Sequence, residues 1–181
     1  MTDDPLAWET TDTGVDYTCP GFDVRRDEVV LPDGTETEYH YVEEPPAVVV
    51  LPFTPDGDVV VIDEWRQAVG RVNRSLPAGS MEDRDGDVET AARRELREET
   101  GYVAGDVTRL VSVEPINGLA TSLFHYVVAA GCEPAREQDL DADESIRPTT
   151  VAYDDFLDAV TAGEVRDGKA VTGLLYYEQT R

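Results

Sequence analysis

Lysine is almost missing from this 181-residue chain: Lys169 is the only one, and the other fourteen basic residues are arginines. Against these fifteen stand 39 Asp and Glu, for a formal net charge of −24. The acids are spread along the chain and not gathered in a tail. So sparse a positive charge excludes nucleic acid and anionic membrane as the main partner, because phosphate groups need a basic footprint. Cysteine is scarce too. Cys19 and Cys132 are too few and too far apart for a disulfide framework or a zinc site. No apolar run approaches the roughly 18 residues of a membrane-spanning helix. The acidic start Met1-Thr2-Asp3-Asp4-Pro5 lacks the basic and apolar segments of a signal peptide, so a soluble, cytoplasmic protein is expected. What the chain does have is a core: 40% of its residues are hydrophobic and 8% aromatic, which excludes full disorder. The length suits one domain with a small appended piece.

Residues 1–20 are polar around an isolated Trp8 and read as a loosely held arm. From Phe22 the pattern is strand, turn, strand: Glu28-Val29-Val30-Leu31, the turn Pro32-Asp33-Gly34-Thr35, then Tyr39 to Val42. Residues 22–43 are therefore expected to form a small antiparallel β unit. Glu43-Glu44-Pro45-Pro46 is a stiff break, which places a boundary between residues 1–45 and 46–181. Ala47 to Phe53 is nearly all apolar and fits a strand buried on both faces, with Val59 to Ile62 as its expected hairpin partner. Glu64 to Asp85 reads as loop. A helix is predicted over about 87–100, ended by Gly101. Val107–Val113 and Ser122–Ala129 alternate like strands. Residues 132–145 form an acidic loop before a strand at Thr149–Tyr153. A helix capped by Asp154 or Asp155 should run through Ala162, and a last helix covers about 171–179.

The chemistry concentrates in Gly79 to Tyr102. On a helical wheel Val88, Ala91 and Ala92 share one arc with Glu95, Glu98 and Glu99, while Arg93 and Arg97 point away. The three glutamates are i,i+3 and i,i+4 neighbours. Like charges crowded on a small-residue face repel and lose hydration together. Either protonation or a hard divalent cation relieves that cost, and magnesium or manganese suits such oxygen ligands.

The string Arg94-Glu95-Leu96-Arg97-Glu98-Glu99-Thr100-Gly101-Tyr102 resembles the second half of the Nudix box, G-x5-E-x7-R-E-U-x-E-E-x-G-U, with U a bulky aliphatic or similar residue. The first half departs from it. Fourteen residues separate Gly79 from Arg94 where the pattern has thirteen, and the first glutamate of the box falls on Gly86, between Asp85 and Asp87. A re-cut loop with Asp87 as helix cap is expected. Further segments resemble the ADP-ribose pyrophosphatase branch: Glu28 to Gly34, Ala47 to Leu51, Asp63-Glu64-Trp65-Arg66, and Leu76-Pro77-Ala78-Gly79, with Pro115 past the box. Ser75 stands where that branch often has a glutamate.

The resemblance implies an α/β fold, a Nudix-type α/β/α sandwich with a mixed sheet plus the small N-terminal antiparallel β unit, shared across a homodimer. It implies hydrolysis of a nucleoside diphosphate linked to another moiety, most simply ADP-ribose to AMP and ribose 5-phosphate, assisted by Mg²⁺ or Mn²⁺. Glu95, Glu98 and Glu99 with the carbonyl of Ala78 would hold metal, and Arg94 would orient a metal-binding glutamate. Glu98 and Arg94 belong to the catalytic set, as does Glu144, which aligns with the base that activates water. Arg66 and Gly79 would meet the substrate; the planar guanidinium of Arg66 suits diphosphate oxygens. His40 and His125 read as structural, and Trp65, Tyr176 and Tyr177 as packing groups. Two other readings fit the same residues: a Nudix hydrolase of another nucleotide sugar, a dinucleoside polyphosphate or a nucleoside triphosphate, or a Nudix-like nucleotide sensor without hydrolysis. The charge balance yields its own expectation, a protein of a high-salt cytoplasm whose self-repulsion is screened by salt. Its melting temperature should climb steeply as KCl is raised to molar concentration; a flat response in a thermal melt series would refute this.

Overall fold

The computed structural model describes residues 4–181. Its contacts divide the chain into two units: the chain up to Pro45 together with Glu114–Leu123, and Pro46–Val113 together with Phe124–Arg181. In the first, β1 (Glu9–Cys19), β2 (Phe22–Val30) and β3 (Glu36–Glu43) form an antiparallel sheet in that order. The stretch read as a loose arm is thus largely a strand, paired from Glu9↔Val30 to Cys19↔Phe22 with two register shifts. Its residues, ETTDTGVDYTC, are rich in Thr, Val and Tyr, which favour the pleated backbone. Almost all are exposed, so no apolar alternation announces them. The segment Glu114–Leu123 returns to this unit through a bridge between Ala120 and Val42.

In the second unit the central strand is β4 (Ala47–Pro52). After it come β5 (Val59–Arg66), β6 (Arg71–Ser75), β7 (Ala78–Ser80), α1 (Val88–Thr100), β8 (Tyr102–Val103) and β9 (Asp106–Val113). The chain closes with β10 (Phe124–Ala130), β11 (Glu133–Pro134), β12 (Ile146–Val151), α2 (Tyr153–Thr161) and α3 (Gly168–Thr180). A mixed sheet runs β7-β4-β10-β9, with β4 and β10 parallel, and a three-stranded antiparallel sheet runs β12-β5-β6. Both faces of β4 are covered. Val48 and Val50 pack with Val88, Ala91, Ala92 and Leu96 of α1, while Val49 and Leu51 pack with Phe156, Val160, Ala170 and Leu174 of α2 and α3. This is an α/β/α sandwich, and the period of two along a wholly apolar strand is what sends alternate valines into opposite layers.

Four expectations are corrected. β5 is not the hairpin partner of β4. A turn at Thr54–Asp58 reverses the chain, but beyond one bridge, Phe53↔Val59, the strands join different sheets. A strand buried on both faces takes a neighbour on each edge, and β10 and β7 fill those edges. The stretch Glu64–Asp85 is not mainly loop: β5 continues to Arg66, turns through Gln67–Gly70 and returns as β6, with β7 following. Asp154 and Asp155 do not cap α2; they lie in its first turn after Ala152. Asp167 does cap α3, accepting from the N–H groups of Lys169 and Ala170, so that helix begins earlier than predicted. Among the described residues no helix is long and apolar enough to cross a membrane.

Candidate active site

Helix α1 is held at both ends as its residues dictate. The Asp87 side chain accepts from the N–H of Thr90 at 2.8 Å, and Gly101 takes the left-handed conformation at φ 76°. A Cβ at Gly101 would overlap the Arg136 carbonyl. The apolar residues Val88, Ala91, Ala92 and Leu96 seat the helix on β4 and β10. Because Ala91 and Ala92 are small, the helix lies close to the sheet, and Glu95 and Glu99 on the same arc are buried, 8% and 2% exposed.

Those two carboxylates meet the loop Leu76-Pro77-Ala78-Gly79. Glu99 Oε2 accepts the N–H of Ala78 at 2.9 Å. Gly79 lies against Glu95, and a Cβ at Gly79 would overlap the Glu95 carboxyl group. Glycine is required here for the approach itself, since a larger residue would expel the carboxylate.

Arg94 ties the cluster together. Its Nη1 donates to Glu95 Oε1 at 2.6 Å and to Glu98 Oε2 at 3.1 Å. Its Nε and Nη2 each donate to Asp85 at 2.8 Å, and Nη2 also reaches the Ser80 carbonyl at 2.9 Å. Glu98 is half-buried and receives Arg97 Nη2 on its other oxygen at 2.9 Å. Asp85 therefore supplies the carboxylate that the re-cut box loop needs. It sits one residue before the position the box spacing marks, and Gly86 makes the turn at φ 74° that lets Asp87 cap the helix.

Burial and charge pull these groups apart. The Arg94 guanidinium holds Asp85 down at about 2. Burial pushes Glu99 up to about 8, helped by the Glu95 and Glu144 charges and opposed by the Ala78 N–H and by Lys169. Burial also raises Glu95, against the pull of Arg94. Buried carboxylates that resist ionisation welcome a cation, and the donors are hard oxygens of the kind magnesium and manganese take. One further buried oxygen, Glu64 Oε2, is 2.7 Å from Arg66 Nη2 and has no hydrogen-bond partner among the described residues. The residues thus fit a divalent ion in chemistry. As they stand, Arg94 holds Glu95 and Glu98, and among the described residues no three His, Cys, Asp or Glu are gathered as a metal cluster.

The loop 132–145 is stitched to the end of α1, satisfying carbonyls that a helix terminus leaves free. The N–H groups of Ala135 and Arg136 bond to the Gly101 carbonyl, that of Asp139 to Glu98, and the Gln138 amide to Glu99. The stitching brings Glu144 within electrostatic reach of Glu64, Glu95 and Glu99. Its carboxylate accepts the N–H of Asp141 at 3.0 Å, closing the loop on itself. Arg66, at the end of β5, pairs with Glu64 and keeps 37% of its side chain exposed.

Two members of this neighbourhood escaped the sequence reading. Glu64 and Lys169 lie in the same charge cluster: burial and Arg66 lower Lys169, while Asp167, Glu99 and Glu64 raise it. The signal for Glu64 was its i,i+2 position beside Arg66 on one strand face; for Lys169 it was being the only lysine. Trp65 and Tyr176, expected to pack, are 47% and 40% exposed. Tyr177 does pack, its ring 5.1 Å from Phe53. Ser75 is tied to the α3 cap, donating to Asp167 at 2.7 Å.

The Asp85–Arg94 pair generates a sharp expectation. A carboxylate lowered in the folded state adds stability that is full above its unfolded value and fades as pH falls through the folded one. Asp85→Asn should cost about 3 kcal/mol near neutral pH by stranding a buried guanidinium, against about 1 kcal/mol for Asp87→Ala. The Asp85→Asn deficit should shrink from the ordinary value of 3.8 downward and vanish near 2. Urea unfolding across pH checks both; equal costs for the two variants would refute the assignment.

Comparison with known proteins agrees with this geometry. The family model of the NUDIX domain matches residues 43–172. An ADP-ribose pyrophosphatase of Bacillus subtilis (strain 168) is 31% identical over 157 residues, covering 86% of this chain and 84% of that protein. A GDP-mannose pyrophosphatase of Escherichia coli (strain K12) is 32% identical over 141 residues, covering 74% and 73%. In fold, the crystal structure of an ADP compounds hydrolase superposes with a TM-score of 0.84 over 98% of this chain and 96% of that one, at 20% identity. With Glu95 and Glu99 of α1 set against the Ala78–Gly79 loop and the family model spanning both segments, this chain belongs to the Nudix family.

Proposed function

We propose that this chain is a Nudix pyrophosphohydrolase that cleaves ADP-ribose to AMP and ribose 5-phosphate. The observation that carries the reading is the interlock of loop and helix: Glu99 bonded to the Ala78 N–H and Glu95 seated on Gly79. Similarity to an ADP-ribose pyrophosphatase over 86% of the chain supports the substrate. Glu95, Glu98, Glu99 and the Ala78 carbonyl would hold magnesium or manganese. Such an ion, when bound, neutralises diphosphate charge and acidifies water. Arg66 contacts the diphosphate through its exposed N–H groups, and Gly79, whose missing side chain admits the Glu95 carboxyl group, would meet the substrate through its backbone. Arg94 keeps Glu95 and Glu98 in position. Glu144 takes the proton of the attacking water. Water oxygen adds to one phosphorus, the bridging P–O bond breaks, and two phosphomonoesters leave.

A homodimer is part of the proposal. Among its described apolar residues the first unit buries only Val29 and Ala120, while Trp8, Tyr17, Phe22, Tyr39, Ile116 and Leu119 are exposed. So little core under so much apolar surface is the profile of a unit completed by a partner. Light scattering in molar salt should return twice the chain mass; a monomer would remove the shared site.

Glu99→Gln should lower kcat at least about 100-fold while keeping an acceptor for the Ala78 N–H. In a panel of ADP-ribose, GDP-mannose and nucleoside triphosphates with Mg²⁺ at high salt, ADP-ribose should give the highest kcat/KM. Full activity of the variant would overturn the ligand set. Preference for GDP-mannose would move the substrate to that of the second relative.

A further inference from the structure

Four of the fifteen basic residues line one open groove of about 460 Å³: Arg84, Arg93, Arg94 and Arg97. In a chain of net charge −24 that is a concentration against the grain of the composition. Two carboxylates share the lining, Asp85 and Glu98, and both are already engaged by Arg94. Val103 and Ala104 contribute an apolar wall.

The arginines are held in different ways, and the differences matter. Arg93 and Arg97 are one helical turn apart on α1, so their like charges repel. No carboxylate oxygen lies within the 4.0 Å of an ion pair from Arg93 among the described residues. Its guanidinium is instead clamped by neutral carbonyls, Nη1 on Ala104 at 2.6 Å and Nη2 on Gly105 at 3.1 Å. Arg93 is therefore an exposed cation with a fixed orientation and no counter-charge. Arg97 spends one bond on Glu98 and Arg84 is paired only with Glu82, so both keep N–H groups for another acceptor. Arg94 lies beneath, fixed by Asp85.

From this we infer that the groove is an anion site for a phosphate group, one that borders the carboxylate cluster through Arg94 and Glu98 and does not rest on the hydrolytic reading. Planar guanidinium N–H groups match the oxygens of a phosphate dianion, which can bridge Arg93 and the N–H groups that Arg97 does not spend on Glu98. Entry of the dianion would relieve the Arg93–Arg97 repulsion. Arg84, Arg94 and Arg97 each already meet a carboxylate, so Arg93 is the discriminating contact and Arg97 supports it.

The test uses the whole protein with metal removed by chelator, at the lowest salt that keeps it folded. Arginine Nε–Hε NMR signals are followed during titration with inorganic phosphate, with AMP, and with adenosine. Arg93 and Arg97 signals should shift saturably with phosphate or AMP, and Arg97→Gln, read at Arg93, and Arg93→Gln/Arg97→Gln, read at the Arg84 and Arg94 signals of the same lining, should weaken binding about tenfold or more. Saturation by AMP well below the phosphate concentration identifies a phosphomonoester as the ligand; equal or tighter binding of phosphate identifies the free ion; either upholds the site. Absence of saturation, saturation that survives in Arg97→Gln and the double variant alike, or an equal response to adenosine overturns it. Arg66→Gln should bind phosphate as the parent does, and a loss there would move the site to the diphosphate contact. No turnover enters the measurement, so its failure leaves the hydrolase reading standing.

Discussion

One guanidinium organises the chemistry of this protein. Three glutamates on the packed face of α1 could not share it without a positive charge among them, and Arg94 supplies that charge while being itself nearly buried. The arrangement is stable because Asp85 takes one edge of the guanidinium, through Nε and Nη2, and leaves Nη1 for Glu95 and Glu98. A buried charge held on one side only would be costly. Held on both, it fixes the carboxylates in orientation.

The same constraint divides the acids by environment. Asp85, enclosed by two N–H donors of Arg94, ionises readily. Glu99, enclosed mostly by protein and facing Glu95 and Glu144, resists ionisation. These opposite outcomes arise within one loop and one helix. The difference lies in the donors that oppose desolvation: a charged guanidinium at Asp85, a single backbone N–H at Glu99. The apolar layer beneath is equally necessary: Ala91 and Ala92 let α1 approach Val48 and Val50 closely, which brings Glu95 onto Gly79.

Electrostatics also set the periphery. Asp63 is lowered by Arg74 and Arg147, which reach it from the two strands flanking β5. Arg109 holds Glu89 on the outer face of α1. Most arginines of this lysine-poor chain are thus engaged with nearby acids or carbonyls. A fork of several N–H groups bridges strands and helices as a single ammonium does not.

Much of the site was legible from residues alone. Helix α1, its Asp87 cap, its Gly101 stop and the inward glutamates all follow from local periodicity and capping, which depend on neighbours a few positions away. The doubly buried β4 was legible for the same reason, being apolar at every position. Tertiary structure alone decided that β4 pairs with β10 and not with β5, that the exposed polar segment Glu9–Cys19 is a strand, and that Asp85 is the partner of Arg94. It also decided that Glu64 and Lys169 join the carboxylate cluster from β5 and α3. Pairing edges, ion-pair partners and the burial of a charge depend on groups distant in the chain arriving at one place, and no local pattern encodes that arrival.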